Sequence, residues 1–176
     1  GLRILDIGCG AGLVSEPLCR MGAIVTGIDP SSEIVAAARL HAEEGGLSID
    51  YRATPAEALA AAGERFDAVT ILEVVEHVND VPAFVATVAS LVRPGGIVVA
   101  STINRTLKAL ALAIVGAEYV LRWLPPGTHS YEKLVTPREL TAAFADAGLD
   151  AGDETGVMYV PLADRWRLGR GMDGNY

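Results

Sequence analysis

Positive charge and cysteine are both scarce in this 176-residue chain. Lysine and arginine total 14 against 22 acidic residues, and a net charge of -8 argues against a nucleic-acid backbone as partner or substrate. A small or lipid-like substrate is the expectation. The two cysteines, Cys9 and Cys19, stand at no metal-like spacing, which points to a reducing compartment and to two packed thiols. Repeats and low-complexity segments are absent, and no apolar run is long enough to span a bilayer. The chain opens on a predicted strand with neither a charged nor an apolar leader, so no secretion or transit signal is expected in it. Because most domains carry something before a first strand, an N-terminal segment is expected to be missing.

Hydrophobic residues are abundant at 51%, enough for one large core, and the length fits a single domain over 1–176 with no internal linker. Short apolar runs alternate with longer amphipathic stretches, the pattern of a parallel sheet flanked by helices. Strands are predicted at about 3–8, 24–29, 48–53, 66–73 and 96–103. Helices are expected from Glu33 to Glu44 behind Ser31-Ser32, from Thr54-Pro55 through Ala62, and from Asp80 to Val92. Pro94-Gly95-Gly96 reads as a helix stop and strand start. A later helix begins near Thr136-Pro137, with Glu139 placed for a capping box. Residues from about 149 to 176 read as two strands closing the sheet. The expected fold is a doubly wound, mostly parallel α/β sheet of seven strands, with a helical insertion after the fifth, over 105–135.

Gly8-Cys9-Gly10-Ala11-Gly12 follows the first strand, and Asp29 closes the second. Glycines there let the backbone turn sharply and approach a ligand, with the next helix presenting its N-terminus. Asp29 is placed to accept ribose hydroxyls, so an adenosine-bearing ligand is expected. The spacing is G-x-G-x-G, not the G-x-G-x-x-G of a pyrophosphate site, and Asp6 adds a carboxylate just before the loop. A ligand with a positive charge and an amino group suits this better than two phosphates, and S-adenosylmethionine carries both. Pro30, Ala53, Thr54, Leu72 and Glu73 also fall at strand ends, so several segments converge on one crevice.

With these residues assembled, the chain resembles the class I S-adenosylmethionine-dependent methyltransferases, whose fold is Rossmann-like, and more narrowly the ubiquinone-biosynthesis O-methyltransferases. The narrower likeness rests on Glu73-Val74-Val75-Glu76-His77-Val78, Ser101-Thr102-Ile103-Asn104-Arg105, Gly116-Ala117-Glu118-Tyr119, Gly127-Thr128-His129 and the closing Gly169-Arg170-Gly171-Met172-Asp173-Gly174-Asn175-Tyr176. It implies methylation of a ring hydroxyl on a polyprenylated phenol or catechol, at two points in ubiquinone synthesis. It also implies that Gly8 and Asp29 hold the cofactor and that Leu72 lines its adenosine side. The family's basic residue facing the cofactor carboxylate falls in the N-terminal segment expected to be missing, so that contact is not assigned.

Asp6, Gly8, Gly10, Gly12, Asp29, Pro30, Ala53, Thr54 and Leu72 are therefore the candidate cofactor residues. Helical spacing would put Glu73, Glu76 and His77 on one face, where they could bind a divalent cation beside the cofactor; similar enzymes are described as magnesium-dependent. The alternative is that they order the loop and cap the next helix, as in methyltransferases that need no metal. His129 is the candidate general base, since imidazole can take a phenolic proton near neutral pH, and His77 joins it as a catalytic candidate. A loop-ordering hydrogen bond is the other reading of His129, and His41 reads as structural or solvated.

Between Arg105 and Leu124, Leu110, Ala113, Ile114, Ala117, Leu121 and Leu124 share one helical stripe, while Arg105, Lys108, Glu118 and Arg122 share the other. This amphipathic insertion is expected either to lie on a membrane surface and admit a polyprenyl tail, with Trp123 and Tyr119 near the interface, or to pack as a lid. The expected setting is cytoplasmic and peripheral on a bacterial inner membrane, or the matrix side in a mitochondrion, with a biosynthetic complex as a possible partner. Three other readings stand beside this one: a nicotinamide-dependent oxidoreductase, a non-catalytic S-adenosylmethionine-binding module, and a methyltransferase of a soluble small molecule.

Overall fold

The computed structural model describes residues 1–106, 133–160, 165–169, 171 and 176, with backbone alone at 158–160 and 166. The expected insertion helix falls almost wholly outside the described residues, as does His129. Two compact units are distinguished, Gly1–Val74 with Ala83–Ala100, and Val75–Pro82 with Ser101–Tyr176.

In the first unit, β1 (Arg3–Ile7), α1 (Ser15–Arg20), β2 (Ile24–Asp29), α2 (Ser32–Glu44), β3 (Asp50–Ala53), α3 (Ala56–Ala61) and β4 (Phe66–Leu72) alternate along the chain. Most of α4 (Val81–Leu91) and β5 (Val92–Ser101) follow. The strands pair in the order β3-β2-β1-β4-β5. Registers are parallel, with Ile7 opposite both Ile28 and Ile71, and Asp29 opposite Ala53. The chain first winds outward to β3 and then returns to the other side of β1. Strand order therefore reverses between β1 and β4, where an open parallel sheet leaves a crevice beyond its carboxyl ends.

Consecutive residues along β1 and β4 are buried, so both faces of the sheet are covered and its central strands read as nearly continuous apolar runs. Leu5, Ile28, Val69 and Ile71 are all buried. On α4, Phe84, Val85, Val88 and Leu91 recur at helical spacing and turn one stripe inward. On α2, Val35, Ala38 and Ala42 pack against Cys9 and Tyr51. Ser31 caps this helix through the Ile34 amide at 3.3 Å, as its sequence predicts. At the amino end of the sheet, Asp67 accepts the Arg3 amide at 2.7 Å and pairs with Arg93, which ties the β1, β4 and β5 starts together.

Two expectations change. β5 begins at Val92, so Pro94-Gly95-Gly96 lies within the strand and the helix stops at Leu91. Among the described residues β5 ends the strand order, a place where a proline that cannot donate to a ladder is tolerated. The sheet has five strands among the described residues, and the expected seven are not confirmed: in the second unit, β6 (Gly156–Val160) and β7 (Arg165–Gly169) pair antiparallel with each other. Their short connection makes that local ladder cheap in closure entropy.

In the second unit, a 3-10 turn at Val75–His77 precedes α5 (Pro137–Asp146) in the chain. Thr136 and Glu139 close the expected capping box: the Glu139 amide donates to Thr136 Oγ1 at 3.3 Å, and the Thr136 amide to Glu139 Oε2 at 2.8 Å. Tyr176 exchanges two backbone hydrogen bonds with Thr102, each 3.1 Å, and its hydroxyl donates to the Val135 carbonyl at 3.0 Å.

Candidate active site

At the end of β1 the amides of Gly8 and Cys9 both donate to the Ile28 carbonyl, at 2.8 and 3.0 Å, and this bends the glycine loop toward β2. Gly8, Gly10 and Gly12 all have left-handed backbones, with φ of 71°, 51° and 92°. L-residues with a Cβ rarely adopt this conformation. The space beside each glycine differs. A Cβ at Gly8 would run into the Val74 side chain, and one at Gly12 into the Tyr51 hydroxyl, whereas nothing lies within 4 Å of the Cβ position at Gly10. Gly10 is thus the loop position open to a ligand, and Gly8 and Gly12 are glycines because protein occupies the space beside them.

Asp6 is buried, and burial pushes its carboxyl above the ordinary range against the lowering effect of its hydrogen bonds. Ser15 Oγ donates to Oδ2 and Thr70 Oγ1 to Oδ1, both at 2.6 Å. Its sequence position suggests a carboxylate facing a cationic ligand; in the structure both oxygens are turned inward and join β1 to α1 and β4. Ser15 and Thr70 were missed in the sequence, though a threonine inside the apolar run Ala68-Val69-Thr70-Ile71 is a polar group in need of a partner. Cys9 is buried too, and its thiol is pushed up to about 12, first by burial and then by the charges of Asp6 and Asp29. It is an inert packed thiol.

Asp29 ends β2 at the rim, partly exposed. Its Oδ1 accepts the Ser31 amide at 2.9 Å, and its carbonyl accepts the Thr54 amide at 3.1 Å. Pro30 and Ala53 are exposed beside it, and Thr54 and Leu72 are half-buried. Gly8, Asp29, Ala53 and Leu72 therefore stand at the aligned carboxyl ends of β1, β2, β3 and β4, as their sequence positions predict. Glu73 follows with φ of 55°, the one left-handed non-glycine among the described residues. Such a backbone costs on the order of 1 kcal/mol or more and tends to persist at functional sites.

In the second unit Glu76 is buried, and Thr102 Oγ1 donates to its Oε2 at 2.7 Å, while Oε1 has no hydrogen-bond partner. His77 is exposed. Among the described residues no three His, Cys, Asp or Glu side chains are grouped to hold a metal ion. The expected magnesium ligands divide between the two units, Glu73 in the first and Glu76 and His77 in the second. His41 pairs with buried Glu16, which also meets Arg20 at 3.0 Å, and so serves the packing of α2 on α1.

Residues 5–100 match the methyltransferase domain family. Over the whole chain, 61% of residues are identical to the ubiquinone biosynthesis O-methyltransferase of Chelativorans sp. (strain BNC1), of which the chain spans 70%. The protein of the same name from Brucella ovis is 60% identical over 176 residues, 71% of its length. Among solved structures, the chain is similar to magnesium protoporphyrin IX methyltransferase from Synechocystis PCC 6803, which carries bound SAH. That likeness has a TM-score of 0.71 at 25% identity, over 91% of this chain and 69% of that one. The YcgJ protein of Bacillus subtilis gives 0.71 at 23% identity, over 89% of this chain and 66% of that one, a likeness of fold alone.

Proposed function

The chain belongs to the methyltransferase-domain family and, within it, to the ubiquinone biosynthesis O-methyltransferases, which are S-adenosylmethionine-dependent enzymes; on that premise we propose that it methylates a ring hydroxyl of a polyprenylated phenol or catechol. The 61% identity across all 176 residues carries this reading. The crevice at the ends of β1, β2 and β4 is our assignment for the cofactor, and its residues fit one. Gly10 leaves open space at the loop, and Asp29 stands at the rim with its Oδ1 held by Ser31. Gly10 would let the loop backbone approach the ligand, Asp29 would accept ribose hydroxyls, and Leu72 would flank the adenosine. The bound cofactor supplies a methyl group on a sulfonium.

The protein's share of the chemistry is to hold the acceptor oxygen in line with that methyl and to keep the oxygen deprotonated. A free phenol has a pKa of about 10, so a base is needed at neutral pH. We assign that proton to the imidazole of His129, on the strength of its sequence context. Attack of phenolate on a sulfonium removes both charges, which a dry pocket favours.

We also propose that residues 105–124 touch a membrane surface, which places the enzyme in the cytoplasm, peripheral on the inner membrane of a bacterium, within reach of a biosynthetic complex. No helix among the described residues is long and apolar enough to cross a bilayer. The test is methyl transfer from labelled S-adenosylmethionine to a short-chain demethylubiquinol and, separately, to a soluble catechol, followed by mass spectrometry. Faster methylation of the prenylated acceptor is expected. Preference for the soluble catechol would overturn the substrate assignment.

A further inference from the structure

Tyr51 is a β3 residue buried beneath the glycine loop. It sits opposite Gly27 in the ladder, and a Cβ at Gly27 would come within 2.6 and 2.7 Å of the tyrosine ring. Its hydroxyl occupies the space that a Cβ at Gly12 would need. Two glycines, one in β2 and one in the loop, thus make room for a single side chain.

The hydroxyl itself is unexplained by packing. It is fully buried and makes no well-formed hydrogen bond, although the Ser15 hydroxyl, which donates to Asp6 and can still accept, lies close enough to interact with it. Burial pushes the phenol up to about 12, so it stays protonated in ordinary buffers. A phenylalanine would fill the same ring space against Cys9, Val35, Ala38 and Ala42. What the oxygen adds is its contact with Gly12. The loop is held on one side by the Ile28 carbonyl, which takes the Gly8 and Cys9 amides. On the other it rests on Tyr51.

We propose that Tyr51 is a positioning residue for the cofactor: its hydroxyl props Gly12 and sets the height of the glycine loop, acting through the loop backbone and not by touching the ligand. This rests on the methyltransferase reading given above. Loss of one atom of support lets a loop with three left-handed glycines settle, and a site loosened in this way loses affinity even though every contacting group remains.

The test is Tyr51→Phe in the full chain. S-adenosylmethionine and S-adenosylhomocysteine binding are measured by calorimetry, Tm by thermal denaturation, and KM and kcat with a short-chain demethylubiquinol. The expected variant binds both ligands roughly tenfold more weakly and shows a raised KM for S-adenosylmethionine. Its kcat is little changed, and its Tm stays close to that of the unsubstituted protein because the packing of the ring is kept. Unchanged affinity overturns the proposal, as does a Tm that falls in step with affinity, which marks a purely structural tyrosine. If the unsubstituted protein itself binds neither ligand, the methyltransferase reading fails and the proposal with it.

Discussion

Asp29 does two things at once: its Oδ1 shapes the turn after β2 by taking the Ser31 amide, and its position at the rim faces the crevice. Asp29→Ala should therefore weaken S-adenosylmethionine binding by roughly ten- to a hundredfold, the range expected when a charged acceptor loses its hydrogen bonds. Calorimetry measures this directly. The loop glycines separate into two kinds, and their alanine variants should separate too. Gly8→Ala adds a Cβ against Val74 in a left-handed backbone and should cost well over 1 kcal/mol in urea denaturation. Gly10→Ala meets only the backbone strain, so it should lose less stability and more cofactor affinity. The loop's sequence reveals that glycines are required, but not why each one is. Val74 and Tyr51, which occupy the space beside Gly8 and Gly12, are brought there by β4 and β3 from far along the chain.

At the level of elements, local signals were legible and non-local ones were not. Ser31 before α2 and Thr136 with Glu139 before α5 are caps written within four residues of sequence, and both form. The apolar runs of β1, β2 and β4 end at Ile7, Asp29 and Leu72, within a residue of prediction, because glycine or a charged residue stops each one. Asp6 was legible as an unusual carboxylate but not as an inward tie, since its partners Ser15 and Thr70 lie on other elements. The pairing of β6 with β7 was likewise hidden, because strand periodicity does not name the neighbour. Thr136→Ala removes half of the capping box and should cost about 0.5–2 kcal/mol, read from the shift in denaturation midpoint.

At the scale of the molecule, three carboxyls among the described residues sit below their ordinary range: Glu16 through its hydrogen bond from His41, Asp67 through the Arg3 amide and Arg93, and Glu139 through the Thr136 amide. A depressed folded-state pKa gives stability that is complete above the unfolded value, near 4, and is lost as pH falls through the folded one. Asp6 is raised and acts oppositely, losing its contribution as pH rises through its folded value. Three groups against one predict acid unfolding that sets in below about pH 4, and Glu16→Gln should flatten that limb in a circular-dichroism titration. A net charge of -8 opposes approach to anionic lipid, so apolar insertion of the 105–124 stripe is the part of the proposed contact that should survive salt. Flotation with anionic vesicles should therefore retain the protein in high salt, and failure to float would remove the membrane contact from the account.

The crevice at the ends of β1, β2 and β4 is our proposed seat for the methyl donor in transfer to a prenylated phenol. Its most direct test is the rate of label transfer from S-adenosylmethionine to a short-chain demethylubiquinol, measured across donor concentrations for the unsubstituted chain and for Asp29→Ala. Both should transfer label, the variant slowly at low donor and with recovery as the donor is raised. No transfer by the unsubstituted chain, or an Asp29→Ala curve that overlays it, would contradict the account.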